Sequence, residues 1–146
     1  MNGNAIKVLV VDDHPVNLKV ATYSLKFSGY QIFEATNAIQ AIEVIQKELP
    51  ALVLMDISLP GMDGLTLTRQ LKADPATKHI KIAALTAYAM KGDDKKAFEA
   101  GCDAYITKPI NTRLLGEQVG VILGLKPRSG DTTQFTLNPN MPPTLA

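Results

Sequence analysis

Residues 51–64 read ALVLMDISLPGMDG, an apolar run followed by turn-forming residues. Ala51–Met55 is wholly apolar, which is typical of a strand buried on both faces of a parallel sheet. Asp56 ends the run, and Leu59–Gly64 is rich in proline, glycine and aspartate, which favour loops and turns. The stretch therefore predicts a buried strand that ends on a carboxylate and is followed by a loop.

The same alternation recurs on both sides of this stretch. Apolar strands alternate with helices whose apolar residues follow helical spacing, which predicts an α/β fold, a doubly wound (βα)5 parallel sheet covered on both faces. The predicted strands are Ile6–Val11, Gln31–Ala35, Ala51–Met55, Ile80–Leu85 and Ala104–Thr107. The predicted helices are Pro15–Phe27, Ala38–Leu49, Leu65–Lys72, Asp93–Ala100 and a last helix that Asn111 or Thr112 caps and that reaches Leu123.

Length and composition limit the classes of protein that fit. The 146 residues suit one domain, and the net charge of +1 gives no sign of a basic surface for nucleic acid. No apolar run approaches the roughly 20 residues that cross a bilayer, and no secretory leader is evident. We expect a cytoplasmic protein that binds neither nucleic acid nor membrane. Its single cysteine, Cys102, is expected to be a small buried side chain.

The last part of the chain differs in composition from the rest. From Pro127 onward proline, threonine, asparagine, glycine and serine dominate, and no apolar period remains. Such a segment favours a chain without a packed core. We expect one folded domain over residues 1–125 and a flexible C-terminal tail over residues 126–146.

Polar residues with complementary chemistry follow the predicted strands. In open parallel sheets, ligands bind outside the carboxyl ends of the strands. The residues at those ends are Asp12 and Asp13 after the first strand, Asp56 after the third, Thr86 after the fourth and Lys108 after the fifth. Crowded carboxylates repel each other and call for a cation, and oxygen ligands with a phosphate suit Mg²⁺. The pattern favours phosphoryl transfer to a carboxylate nucleophile, Asp56.

Each of these residues also has a simpler interpretation when it is taken alone. An aspartate pair before a helix is often only a cap, and an aspartate after a strand is often a turn residue. What favours a site is the conjunction, because each residue falls at the carboxyl end of its own predicted strand.

Four motifs in the chain resemble response-regulator receiver domains. They are KVLVVDD at Lys7–Asp13, LMDISLPGMDG at Leu54–Gly64, ALTAYAMKG at Ala84–Gly92 and AGCDAYITKPI at Ala100–Ile110. The resemblance runs from about Ile6 to Leu123, and the motifs occur in the family's order. It implies a flavodoxin-like sheet with strand order 2-1-3-4-5, and it identifies residues 1–125 as the receiver domain.

The resemblance also implies a role for each site residue. Asp56 aligns with the phosphoacceptor, and Asp13, Asp56 and the backbone carbonyl of Ser58 would bind Mg²⁺, with Asp12 helping through water. The remaining implied roles are Lys108 as the partner of the acceptor or phosphoryl group, Thr86 as its hydrogen-bond donor, Tyr105 as the switch aromatic and a cis peptide bond before Pro109.

The implied function is a signalling switch rather than an enzyme with an independent substrate. A histidine kinase or a histidine phosphotransfer protein would donate the phosphoryl group to Asp56, and the domain would assist its own phosphorylation and dephosphorylation. A downstream protein would bind the face formed by helix 4, strand 5 and helix 5. The kinase, the target and the pathway are not predicted.

Two other classes use a related sheet. A flavodoxin-like cofactor binder needs a phosphate loop after the first strand, where Asp12 and Asp13 would repel a phosphate. A phosphatase of the haloacid-dehalogenase type needs an acidic residue two positions after its aspartate nucleophile, where Ser58 stands. Absorbance near 450 nm would support the first class, and steady turnover of a phosphomonoester the second.

Overall fold

The structure, a computed structural model, describes residues 5–57, 64–86, 93–125 and 135–139. Strands and helices alternate along most of this length. The strands are β1 Lys7–Val11, β2 Gln31–Ala35, β3 Leu52–Asp56, β4 Lys81–Thr86, β5 Ala104–Thr107 and β6 Phe135–Leu137. The helices are α1 Pro15–Phe27, α2 Ala38–Glu48, α3 Gly64–Ala73, α4 Asp93–Ala100 and α5 Leu115–Ile122.

Local sequence explains where the first two helices begin and end. Pro15 occupies the first turn of α1, where its missing N–H costs no hydrogen bond. Gly29 follows α1 at a φ of +97°, a conformation that glycine adopts without a steric penalty. The Asn37 side chain accepts a hydrogen bond from the Gln40 amide at 2.9 Å and so caps α2.

The sheet has the order β2-β1-β3-β4-β5-β6. β1 to β5 are parallel, so the doubly wound (βα)5 sheet with order 2-1-3-4-5 is confirmed. β6 is an addition, because it pairs antiparallel with β5 at the outer edge. The register of the parallel strands places Val11 beside Met55 and Thr86 beside Thr107, so that their carboxyl ends meet at one edge.

Two apolar clusters lie on the two faces of the sheet. One joins the sheet to α2, α3 and α4, and the other joins it to α1 and α5. All five residues of β3 are buried, which explains why its sequence shows no alternation of apolar and polar residues. The face of α5 that packs on the sheet is fully buried, with Leu115, Val119 and Ile122 inaccessible to solvent.

Apart from shifts of one residue at the ends of several elements, two features differ from the sequence predictions. α5 begins at Leu115 rather than at a cap on Asn111 or Thr112, because Asn111 instead closes a preceding turn by accepting the Arg113 amide with its side chain. β6 lies inside the segment interpreted as a tail, and it was not predicted. The division between a domain at residues 1–125 and a flexible tail at residues 126–146 otherwise stays a prediction.

Cys102 is buried, as the sequence predicted. Burial in an apolar region raises the pKa of its thiol to about 12, since the thiolate would lose its hydration there. The backbone carbonyl of Cys102 accepts a hydrogen bond from the Asn138 side chain at 2.9 Å. The residue therefore serves packing and backbone pairing.

The surface of α1 is unusually apolar for an exposed helix. Val16, Tyr23 and Phe27 are largely exposed and, with neighbouring residues, line a groove of about 1060 Å³.

Within the described ranges, no helix has both the length and the apolar character needed to cross a membrane.

Candidate functional site

The site lies where β1, β3, β4 and β5 end. Asp12 and Asp13 directly follow β1, and Asp56 is the last residue of the neighbouring strand β3. Thr86 ends β4, and Lys108 directly follows β5. Because these strands are parallel and adjacent, the five residues come from widely separated parts of the sequence to one edge of the sheet.

Four side chains at this edge offer ligand atoms close enough to hold one metal ion. Atoms of Asp12, Asp13, His14 and Asp56 all lie within 4.8 Å of one another. Asp12 and Asp56 are buried, Asp13 is half-buried and His14 is exposed. The structure thus brings together the three carboxylates that the sequence predicted as metal ligands. The backbone carbonyl of Ser58, the fourth predicted ligand, falls outside the described residues.

His14 was not predicted to contact the carboxylates. Its Nδ1 lies 3.3 Å from Asp13 Oδ1 and 3.5 Å from Asp12 Oδ1, and its backbone amide donates a hydrogen bond to Asp12 Oδ1 at 2.9 Å. The only sign in the sequence is its position directly after the aspartate pair. Because its imidazole is exposed, it forms the rim of the cluster rather than its interior.

Lys108 is the cation that the cluster already contains. Its Nζ lies 3.0 Å from Asp12 Oδ2 and 3.2 Å from Asp56 Oδ2. Burial lowers the pKa of the ammonium, but its contacts with Asp12 and Asp56 outweigh burial, so that the pKa lies above its ordinary value. Lys108 therefore stays charged, and it pairs with Asp12 as well as with Asp56.

One lysine does not satisfy all the oxygens of the cluster. Within the described residues, the buried atoms Asp12 Oδ2 and Asp13 Oδ1 have no hydrogen-bond partner, although Lys108 faces the first as an ion-pair neighbour. Buried carboxylate oxygens without partners are costly, and a hard divalent cation binds such oxygens. The residues present therefore fit a magnesium ion.

Thr86 and Tyr105 are both buried near this edge. Thr86 ends β4 beside Thr107 of β5, and its carbonyl accepts the Lys108 amide at 2.7 Å. Tyr105 packs in the core, where its ring meets Phe98 of α4 edge-on with centroids 6.5 Å apart. The bond between Lys108 and Pro109 is cis, as the resemblance implied.

Gly64 allows α3 to approach the backbone that follows Asp56. Its amide donates to the Ile57 carbonyl at 3.3 Å, and a Cβ on Gly64 would lie 2.8 Å from both Asp56 O and Ile57 Cα. Real Cβ atoms essentially never come so close to other heavy atoms. Sequence reasoning placed Gly64 in a loop and missed this contact.

Known proteins match this chain over most of its length. The response regulator receiver domain family matches residues 8–120. The polar-differentiation response regulator DivK of Brucella anthropi is 38% identical over 117 residues, which cover 80% of this chain and 95% of that protein.

Solved structures agree in fold. A putative response regulator from Chloroflexus aurantiacus is 32% identical and superposes with a TM-score of 0.78, covering 82% of this chain and 98% of the other. The receiver domain of a sensor histidine kinase from Pseudomonas aeruginosa, solved with a magnesium ion coordinated in its active-site cleft, is also 32% identical. Its TM-score is 0.73, with coverage of 80% of this chain and 96% of that domain.

Replacing Gly64 with alanine should disturb the acidic edge. The new Cβ must push the backbone at Asp56 and Ile57 aside, which we expect to lower the free energy of unfolding by about 1–3 kcal/mol. Denaturant unfolding gives the stability, and backbone amide chemical shifts show where the structure changes.

Gly29→Ala is the matched control. No atom lies within 4 Å of a Cβ there, so only the positive φ is penalised, at about 1–2 kcal/mol. Its shift changes should stay near the end of α1, whereas those of Gly64→Ala should centre on Asp56 and Ile57. Unchanged Asp56 and Ile57 amides in Gly64→Ala would contradict the close packing.

Proposed function

Since the chain belongs to the response regulator receiver domain family, we propose that it is a phosphorylation switch whose acceptor is Asp56. The observation that carries the proposal is the position of this carboxylate. It is buried at the carboxyl end of β3, between two further aspartates and the ammonium of Lys108. We propose that the donor is a histidine kinase or a histidine phosphotransfer protein and that the output is contact with a downstream protein.

The transfer step needs a nucleophile and charge compensation. An Asp56 carboxylate oxygen would bond to phosphorus while the P–N bond of a phosphohistidine breaks and its electron pair stays on the imidazole. Lys108, already 3.2 Å from Asp56 Oδ2, would stabilise negative charge on the phosphoryl oxygens. The chain would thus assist its own phosphorylation, and water could later attack the acyl phosphate, without turnover of a separate substrate.

Magnesium is the proposed cofactor. Receiver domains bind Mg²⁺ in an acidic pocket, and the structural relative with a coordinated ion is an example. Asp12, Asp13, Asp56 and the Ser58 carbonyl would hold the ion here, because the three carboxylates of the cluster carry more negative charge than the one ammonium of Lys108 balances. When bound, Mg²⁺ supplies charge neutralisation at the carboxylates and phosphoryl oxygens.

The proposed switch runs from Thr86 to Tyr105. A phosphoryl group on Asp56 would attract the Thr86 hydroxyl, and Tyr105 would respond by changing its packing against α4. Changing the ratio of active to inactive conformations from 1:99 to 99:1 needs about 5.5 kcal/mol of differential stabilisation. One charge-assisted hydrogen bond supplies only about 1.5–3 kcal/mol. Lys108 and the metal must therefore contribute to the switch as well.

Magnesium should stabilise the fold. At ten times its Kd, the ion should add about 1.4 kcal/mol to the free energy of unfolding. Asp13→Asn should remove this gain, because it neutralises a proposed ligand, while Glu43→Gln on the exposed surface of α2 should keep it. Thermal denaturation with Mg²⁺ and with EDTA measures the effect. A wild-type Tm that is the same in both conditions would contradict the proposed magnesium site.

Asp56 should be the acceptor. Asp56→Asn should abolish labelling by acetyl phosphate and capture of beryllofluoride, since an amide is a poor nucleophile for phosphorus. The metal-free protein should be no less stable than the wild type, because one of three crowded carboxylates is removed. Intact-mass spectrometry measures labelling, with Asp74→Asn as a control that should label normally. Undiminished phosphorylation of Asp56→Asn would place the acceptor elsewhere.

Thr86 should couple phosphorylation to the distant surface. In Thr86→Ala, labelling of Asp56 should remain largely intact, but beryllofluoride should no longer shift the amide resonances around Tyr105 and α4. Thr86→Ser keeps the hydroxyl and should restore those shifts. The coupling is wrong if Thr86→Ala shows the same distant shifts as the wild type.

A further inference from the structure

The outer edge of β5 is occupied by the chain's own C-terminal segment. Phe135–Leu137 pairs antiparallel with β5, and the register pairs Phe135 with Ile106, Thr136 with Tyr105 and Leu137 with Ala104. On its other side β5 pairs with β4. Without β6, the outer backbone groups of β5 would be an open edge, the kind of surface to which an extended peptide adds as a further strand.

Contacts beyond the strand ladder hold this segment in place. The Asn138 backbone amide donates to the Asp103 carbonyl at 2.9 Å, and its side-chain amide donates to the Cys102 carbonyl at 2.9 Å. Leu137 packs against the apolar cluster on the α1 and α5 side of the sheet. The contacts that β6 makes beyond the ladder therefore come from an apolar side chain followed by an asparagine.

The net free energy that keeps this segment on β5 is nevertheless small. The pairing covers three residues, and Thr136 and Pro139 are exposed. A backbone hydrogen bond contributes little net free energy in water, and each ordered residue loses conformational entropy of comparable size. A strand this short can therefore exchange with a competitor that makes the same contacts.

We propose that the β5 edge is a strand-binding surface that β6 fills in cis, and that a protein partner reaches it by presenting an extended segment with an apolar residue followed by asparagine. The surface lies between α4 and α5. On one side Leu137 packs against the apolar cluster that includes α5, and on the other side β6 borders a groove with Phe98 and Glu99 of α4. A role of this exchange in output rests on the proposed function. The exchange itself does not, and unphosphorylated protein suffices to test it.

Tyr105 connects this edge to the phosphorylation site. It stands in the middle of the ladder opposite Thr136, and its ring contacts Phe98, which also borders the groove. A change in the packing of Tyr105 would therefore act on the residue that pairs with the centre of β6. Phosphorylation and strand exchange would therefore both act on Tyr105.

The decisive experiment supplies the strand in trans. A peptide of residues 133–140, TQFTLNPN, is titrated into a chain that ends at Leu125 and into the full chain, and amide shifts of β5 are followed. The family match ends at residue 120. Alignments that use about four-fifths of this chain cover almost the whole length of its receiver relatives. The chain that ends at Leu125 therefore contains the complete receiver fold. A short tether holds β6 at an effective concentration on the order of millimolar, and β6 occupies the edge, so a Kd of about 0.1 mM or lower is expected for the peptide and the shorter chain.

The full chain should bind the same peptide at least about tenfold more weakly, since β6 competes in cis. A peptide with Asn138→Ala should bind the shorter chain several-fold more weakly, because it loses the contact with the Cys102 carbonyl. Equal affinity of the two chains for the peptide would overturn the proposal. So would the lack of any β5 shift in the shorter chain at millimolar peptide.

A second measurement uses the full chain and needs no truncation. Leu137→Asp should place a charge against the apolar cluster and release β6, so that amide hydrogen exchange in residues 104–107 becomes several-fold faster. Thr136→Asp, which puts the same charge on an exposed neighbour, should leave this exchange nearly unchanged. Unchanged exchange in Leu137→Asp would contradict the proposal, whatever the outcome of the phosphorylation experiments.

Discussion

The ion pairs of Lys108 with Asp12 and Asp56 are the interaction on which the acidic edge depends. Two buried carboxylates from adjacent strands would repel each other without a cation between them. Lys108 supplies that cation from β5, two strands away from β3, and its backbone amide is anchored to the Thr86 carbonyl. One side chain thus joins the ends of three strands and holds the carboxylates of Asp12 and Asp56 close together.

The parallel sheet makes this arrangement possible. Parallel strands present all their carboxyl ends at one edge, so that residues far apart in sequence become neighbours without long loops. Gly64 completes the geometry on the other side of Asp56, because only a residue without a side chain lets α3 start against the backbone of Asp56 and Ile57. Charge pairing and close backbone packing therefore fix the same carboxylate from two directions.

Much of the fold and of the candidate site could be predicted from the sequence. Apolar patterns mark the strands and helices, and carboxylate, hydroxyl and ammonium side chains follow the strands. The apolar run before Asp56 predicted β3, and the residues after each strand predicted which side chains would meet. The match to the receiver family over residues 8–120 decides against the flavodoxin-like binder and the dehalogenase-type phosphatase. The contact of Lys108 with Asp12 was not predictable, since it depends on side-chain geometry and not on strand order.

β6 was missed for a different reason. Phe135–Leu137 is too short to show alternation, and it lies among residues whose composition favours an unpacked chain. Its pairing is decided by a partner far away in sequence, the open edge of β5, together with the Asn138 hydrogen bonds. The start of α5 was misplaced similarly, because the Asn111 side chain accepts the Arg113 amide, inside the turn that precedes the helix.

The burial of Cys102 has a consequence for the reactivity of its thiol. Peroxides and electrophiles react with thiolates, and a thiol whose pKa is raised to about 12 is almost entirely protonated at neutral pH. The residue lies in the turn between α4 and β5, and its sulfur lies 3.9 Å from the Thr68 hydroxyl of α3, where an oxidised sulfur would disrupt the packing. A protonated and enclosed sulfur is a poor target for such reagents, so that Cys102 stays a packing residue.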